Sequence, residues 1–310
     1  MPQPCTCPHC GATMDPMETP WDSSWGGEIH YVCFNDQCVY FTKSWDMMEA
    51  QGVEDTGYRC RRDPRGEFAP IAVWSMDALK DRIIEGFDVQ RGTTDLFDPA
   101  DFVPHDRTPD AEFYGTRELE FHLDSLALSS VEELYAGILP KKARILDLAA
   151  GADSHLRQEL EPLSVIGLGL SPAELDRNPV LTKRVIHDLN ADGPLPFQDA
   201  SFDAVVCCIS VEYLTRPIEV FRETARVLKR NGLFVVVFSN RMFPAKAVPI
   251  WKKTNEAARV DLVRKYFTLS ERFYLSGSLD STGKPRPVND KYYPLGLPSD
   301  PVYAVWGNTL

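Results

Sequence analysis

Five short segments between Ala143 and Ser239 constrain this 310-residue chain more than any other feature. "ARILDLA", "SVIGLGL", "KRVIHDL", "FDAVVCC" and "GLFVVVFS" are strand-sized, β-rich and nearly continuous in apolar character. A strand with one wet face alternates apolar and polar residues; one buried on both faces does not. Apolar runs of this kind, separated by helix-like stretches, predict a doubly wound α/β sheet with parallel strands. Between the fourth and fifth segments, "RPIEVFRETARVLKR" (216–230) places Ile218, Val220, Phe221, Ala225, Val227 and Leu228 mainly along one face. It ends in basic residues and is closed by Asn-Gly, as a crossover helix requires.

A second constraint lies at the other end of the chain. Six of the eight cysteines fall within the first 60 residues: Cys5, Cys7, Cys10, Cys33, Cys38 and Cys60. The start, "MPQPCTCPHCG", has neither a basic region nor an apolar stretch, so a cytoplasmic location is expected, where thiols stay reduced. The longest apolar runs are far shorter than a bilayer span. Cys7-x2-Cys10 and Cys33-x4-Cys38, with 22 residues between the pairs, supply four thiolates for the tetrahedral corners of a structural Zn2+ site. Gly11 stands where a knuckle turn needs positive φ. Cys5, His9 and Cys60 remain alternative ligands. The stretch "CPHCGATM…YVCFNDQCVYF" resembles a zinc ribbon, with spacing similar to the Ogr/Delta zinc fingers of phages, over residues 5–41.

Those phage proteins are transcription activators, yet Met1–Cys60 here carries nine acids and two bases (Lys43 and Arg59), and the whole chain a net charge of -12. Such a surface repels a phosphate backbone and argues against nucleic acid as the partner. Trp21, Trp25, Tyr40 and Trp45 either form a contact face for a protein or substrate, or fill the ribbon's small core. "YRCRRDPRGEFAPIAVWSMDALKDRIIEG" reads as a hairpin around "DPRG" and a helix from Ser75 to Ile84. The expected organisation is a zinc-ribbon domain over 1–86, an acidic Pro-rich linker over 87–112 and a second domain over 113–310.

That second domain resembles a class I S-adenosylmethionine-dependent methyltransferase of the type-11 family. "ILDLAAG" stands at the family's first strand and glycine loop, "HDLNADGPLPFQDASFDAVVCCISVEYL" at its third and fourth strands, and "VFRETARVLKRNGLFVVVFSN" at the next helix and strand. The resemblance implies a Rossmann-like, seven-stranded sheet with S-adenosylmethionine as cofactor. "FYGTRELEFHLD", "DSHL" and "GLGLSPAELDRNP" are similar to a branch whose cofactor loop ends in Ser-His. Carried over, Asp147 orders the loop or meets the cofactor's amino group, with Ala149 and Gly151 in the loop. Leu170 follows the second strand, Asp188 faces the adenine amino group, and Leu189 covers the ring. Cys207–Ser210 line the methyl-transfer pocket. Phe113, Tyr114, Arg117 and His122 lie on a segment that folds over the cofactor in relatives.

Two departures stand out. The loop has one glycine, so alanine must suffice at Ala149 and Ala150. Where the family has an acid that holds the ribose hydroxyls, this chain has Gly169, and Glu174 or the backbone near Leu170 and Ser171 would have to substitute. Methyl transfer from a sulfonium is an in-line displacement governed by alignment, and needs a base only for a protic nucleophile. His155, Glu212 and Tyr213 are the candidate catalytic residues, with His122 beside them. Asn240, Arg241 and Lys246 fall near the expected substrate mouth, where the basic residues either attract an anionic substrate or are simply solvated. Two functions compete: a methyltransferase acting on a small molecule or protein, with the ribbon as a partner contact, and a catalytically inactive adaptor acting through its ribbon. The absence of an "NPPY"-like motif at "CCIS" argues against a nucleic-acid-modifying enzyme.

Overall fold

In a computed structural model, residues 5–19, 25, 28–84, 93–115, 123–190 and 193–310 are described. The chain divides into two units, Met1–Arg91 and Gly92–Leu310.

The first unit is an antiparallel sheet of β1 (Asp15–Glu18), β2 (Ile29–Val32), β3 (Gly57–Arg62) and β4 (Phe68–Val73), in that order, with helix α1 (Val39–Ala50) packed on β3. The hairpin expected around "DPRG" forms. Gly66, at φ 92°, closes it with an amide bond to the Asp63 carbonyl. A core this small must use large side chains. Phe41, Met17 and Val32 are buried, and Trp25, Tyr40 and Trp45 pack against them, so these aromatics serve the core. Trp21 lies outside the described residues. The Arg59 guanidinium is fully buried, bonded to Asp36 at 2.5 Å and set 3.8 Å from the Phe41 ring centroid. The helix expected from Ser75 to Ile84 is instead a series of turns ending in a 3-10 turn, Lys80–Arg82. Leu79 adopts φ 70°, which breaks the helix and buries its side chain in the ribbon core.

The second unit contains β5 (Arg144–Leu148), β6 (Ser164–Gly169), β7 (Lys183–Ile186), β8 (Phe202–Cys208), β9 (Leu228–Phe238), β10 (Phe273–Ser281) and β11 (Val302–Thr309). They form one sheet in the order β10-β11-β9-β8-β5-β6-β7. β5 to β9 run parallel, while β11 is antiparallel to both β9 and β10. Helices are α2 (Asp110–Gly115), α3 (Ser125–Ile138), α4 (Pro172–Arg177), α5 (Pro217–Val227), α6 (Pro249–Lys253) and α7 (Glu256–Ser270). The seven-stranded, doubly wound α/β architecture is as expected. The last two strands, β10 and β11, were not among the five sequence segments.

Strand periodicity sorts the core onto two faces. Ile145, Ala204, Val206, Val235 and Val237 pack with Val131 and Tyr135 of α3. Opposite, Phe234 and Phe221 meet Phe267 of α7 in tilted and edge-on pairs 4.9–5.4 Å apart. The crossover helix ends at Val227, earlier than expected, because Leu228 already pairs with Phe202 as the first residue of β9.

The part of the expected linker that falls in the second unit is ordered against it. The Thr94 amide and hydroxyl donate to Glu219 at 3.1 and 2.5 Å, and Phe97 and Phe102 stack edgewise or tilted on Tyr266. A proline-rich, acidic segment carries no periodicity, yet its two phenylalanines are enough to anchor it.

Candidate functional site

The strand order reverses between β5 and β8, whose neighbours lead away in opposite directions. At such a switch point the loops leaving the carboxyl ends of the strands diverge and open a crevice. Here a cavity of about 230 Å³ lies there. Its walls are the loops after β5 (149–155), β6 (170–174), β7 (187–190), β8 (209–214) and β9 (Phe243), with Asp110 and Tyr114 from α2.

The loop after β5 is built differently from a glycine loop that opens a helix. Ala149 takes φ 54°, a left-handed conformation costly for an L-residue. The turn lets the Ala150 amide bond the Leu168 carbonyl, so the chain runs on beside β6. The Ala150 methyl then packs with Val165, Leu175 and Leu181. This also accounts for Gly169: a Cβ there would sit 2.5 Å from the Ala150 carbonyl oxygen. The loop occupies the place that any side chain at position 169 would take. Glu174 lines the same cavity, and Ser171 caps α4 by accepting from the Glu174 amide. Gly151 has ordinary φ, and a Cβ on it would meet no atom within 4 Å. The space it leaves belongs to the cavity.

No α-helix follows this loop; one 3-10 turn, Gln158–Leu160, precedes β6. His155 therefore caps no helix, and a buried Asn178 pins the loop instead. Its Nδ2 donates to the Gly151 carbonyl and to Ser154 Oγ, both at 2.9 Å. Asn178 was missed in sequence because "RNP" reads as a turn.

Asp147, next to last in β5 and on the face of Ile145, is buried, and burial pushes its carboxyl up to about 7 against the Ser154 hydroxyl and the His155 charge. His155 is held at φ 55° with Nδ1 3.5 Å from Asp153. Burial alone would lower its pKa, but the Asp153 carboxylate and the Cys208 sulfur beside it bring it to about 10. A value that far above neutrality favours the imidazolium. Asp188 accepts the Asn190 amide on Oδ1, and Leu170 and Leu189 line the cavity beside it. The Tyr213 hydroxyl, also on the wall, accepts the Phe243 amide at 2.8 Å.

Two expected site residues lie off the cavity. Cys207 is buried on the opposite face of β8; strand alternation gives the wall to Cys208. Glu212 is buried beneath the Val211–Tyr213 turn, its pKa raised by burial to about 8 with Arg259 acting in the opposite direction. The cations near the expected substrate mouth are also committed. Lys246 is buried and bonded to Asp110 at 2.8 Å and to the Thr108 carbonyl, and Arg241 pairs with Asp300 at 3.0 Å. Asn240 donates to Glu256. Arg117 and His122 lie outside the described residues.

In the first unit, the Sγ atoms of Cys7, Cys10, Cys33 and Cys38 lie within 4.8 Å of one another, with Cys7–Cys38 at 3.9 Å and Cys10–Cys33 at 3.6 Å. Thiolates ~2.3 Å from a central Zn2+ stand about 3.8 Å apart at tetrahedral corners, so the group fits that ion. Gly11, at φ 72°, makes the knuckle turn by bonding the Cys7 carbonyl. Of the alternatives, Cys5 meets Met14 and His9 stacks on Tyr40 with centroids 4.4 Å apart, while Cys60 is buried beside Cys7 but outside the four-sulfur group.

A seven-stranded sheet with an antiparallel strand next to the edge, and a crevice at its switch point, defines the class. Residues 146–236 match the methyltransferase domain family (Methyltransf_11), and residues 6–50 the Ogr/Delta-like zinc finger family. The chain thus carries a segment similar to a zinc finger of that kind and a segment similar to a methyltransferase domain. It is 30% identical over 151 residues to demethylmenaquinone methyltransferase of Thermotoga maritima, covering 44% of this chain and 62% of that protein. It is 37% identical over 105 residues to YqeM of Bacillus subtilis, also named as a methyltransferase, covering 31% and 42%. The chain thus spans less than two thirds of the length of either relative. Among solved structures, geranyl diphosphate C-methyltransferase from Streptomyces coelicolor, in complex with Mg2+, geranyl diphosphate and S-adenosyl-L-homocysteine, aligns over 67% of this chain and 100% of its own. The identity is 16% and the TM-score 0.43.

Proposed function

We propose that the protein binds S-adenosylmethionine in the β5–β8 crevice and transfers its methyl group to a small-molecule or protein acceptor. The observation that carries this reading is the open space left by Gly151, ringed by Asp147, His155, Glu174 and Asp188. In this reading Asp147 takes the cofactor's ammonium and His155 its carboxylate, replacing the amides of a glycine loop with a fixed imidazolium. Glu174 serves the ribose, Asp188 the adenine amino group, and Leu170 and Leu189 the ring faces. When bound, the cofactor supplies an activated methyl on sulfur; the chain aligns the acceptor with it and excludes water. Zn2+ on Cys7, Cys10, Cys33 and Cys38 holds the ribbon, which serves as a contact for a protein partner. Calorimetric titration with S-adenosylhomocysteine tests this. Micromolar binding, weakened at least about tenfold by Asp188→Ala, is expected, one lost hydrogen bond to a charged group being worth about 1.5–3 kcal/mol. Folded protein that takes up neither the cofactor nor its product would leave the adaptor reading.

A further inference from the structure

The far end of the same crevice has a chemistry of its own. Tyr114, Tyr213 and Phe243 all line it, and their ring centroids form a nearly equilateral triangle with sides of 6.1, 6.1 and 6.2 Å. A group resting on that triangle lies about 5 Å from each centroid, inside the ~6 Å over which a ring attracts a cation. The position is fixed: Tyr213 holds the Phe243 backbone, while Asp110 is tied to Lys246 at 2.8 Å and to Asn190 at 2.9 Å.

Charge points the same way. No described residue of the wall is Lys or Arg. Asp110 is set against Lys246, and His155 stands beside Asp153 and is taken up by the cofactor carboxylate in the reading above; among the other described wall residues the acids Asp147, Glu174 and Asp188 outnumber the one histidine, His187, so the wall favours a cation over an anion. Of the side chains on the rings' own segments, Asp110 is engaged with its two partners and the Tyr213 hydroxyl with an amide. Glu212, the remaining sequence candidate, is off the cavity. A nucleophile with no proton to lose suits this end of the site.

We propose that the acceptor is a tertiary amine, held as it becomes a quaternary ammonium against the rings of Tyr114, Tyr213 and Phe243. The inference rests on the methyltransferase reading above and names its substrate class. The nitrogen lone pair forms the new N–C bond to the methyl carbon, and the S–C electron pair returns to sulfur, leaving a thioether. Positive charge moves from sulfur to nitrogen, where the rings stabilise it more as the reaction proceeds. The amine reacts as its free base, its ammonium proton given up to solvent before it enters the site, and no oxidant or second substrate is required.

The test uses the full-length, zinc-containing protein saturated with S-adenosylhomocysteine, titrated with choline and with its uncharged isostere 3,3-dimethylbutan-1-ol. Choline is expected to bind at least about tenfold more tightly, the scale of one desolvated cation–π contact. Tyr114→Phe should keep that preference, while Tyr114→Leu and Phe243→Leu should abolish it with S-adenosylhomocysteine affinity held within about twofold. Equal binding of the two probes, or binding of neither by protein that does bind S-adenosylhomocysteine, overturns the amine assignment and leaves the methyltransferase reading standing. Failure to bind S-adenosylhomocysteine overturns both.

Discussion

Asp147 and His155 share one loop, and their charges depend on the fold around them. A carboxyl raised to about 7 holds a proton in the folded chain that the unfolded chain releases near pH 4. Stability of the ligand-free protein should therefore fall as pH rises from about 4 to about 7, and thermal melts of Asp147→Asn should lack that slope. Cofactor binding has the opposite sign, because the ammonium needs the ionised form. S-adenosylhomocysteine affinity is expected to climb about tenfold per unit below pH 7 and to level off above it, with a flat profile in Asp147→Asn. Ala149 gives a simpler test. Its left-handed φ costs roughly 1 kcal/mol relative to glycine, so Ala149→Gly should raise the melting temperature; a lower one would show that the methyl packs usefully.

At the level of elements, the loop after β5 and the end of β6 are one unit. Restoring the missing acid by Gly169→Asp looks like a repair when judged by sequence. The Ala150 carbonyl, 2.5 Å from the new Cβ, makes it an overpacking change instead. A loss of about 1–3 kcal/mol in unfolding free energy and weaker S-adenosylhomocysteine binding are expected, whereas stable, tighter-binding protein would refute the account of the loop. With no helix after the loop, Asn178 carries its position through two hydrogen bonds. Asn178→Ala should lower cofactor affinity while leaving zinc content unchanged, a split that separates loop disorder from general unfolding.

Over the whole molecule, each unit contains a cluster of side chains that converge from distant segments. In the second, Asp124 caps α3 through the Leu126 and Ala127 amides at 3.0 Å, accepts the Asp300 amide at 2.7 Å, and lies 3.5 Å from Arg286, which bonds Asp300 at 2.6 Å. Burial alone would raise the Asp124 pKa, but these amides hold it below the usual range. Its contribution is present above the unfolded value and lost as pH falls through the folded one. Asp124→Asn should thus flatten the acid limb of a denaturation profile below about pH 4. In the first unit the four cysteines should bind one zinc per chain. Cys7→Ser or Cys33→Ser should lower the metal content, while Cys5→Ser and Cys60→Ser should leave it intact, as measured by elemental analysis.

The sequence by itself determined the sheet, the ribbon and most of the crevice wall. Apolar runs, cysteine spacing and strand-end residues are local signals, and buried parallel strands and paired thiolates leave few alternatives. It could not choose between Cys207 and Cys208, because both faces of β8 are buried and adjacent residues look alike. Nor could it release Glu212 from the site, since one residue along a tight turn separates cavity from core. The reach of Lys246 to Asp110, the grip of Asn178 and the meeting of Tyr114, Tyr213 and Phe243 join residues 24 to 136 positions apart. Tertiary structure alone decided them, because a contact between distant segments exists only once the sheet has placed both.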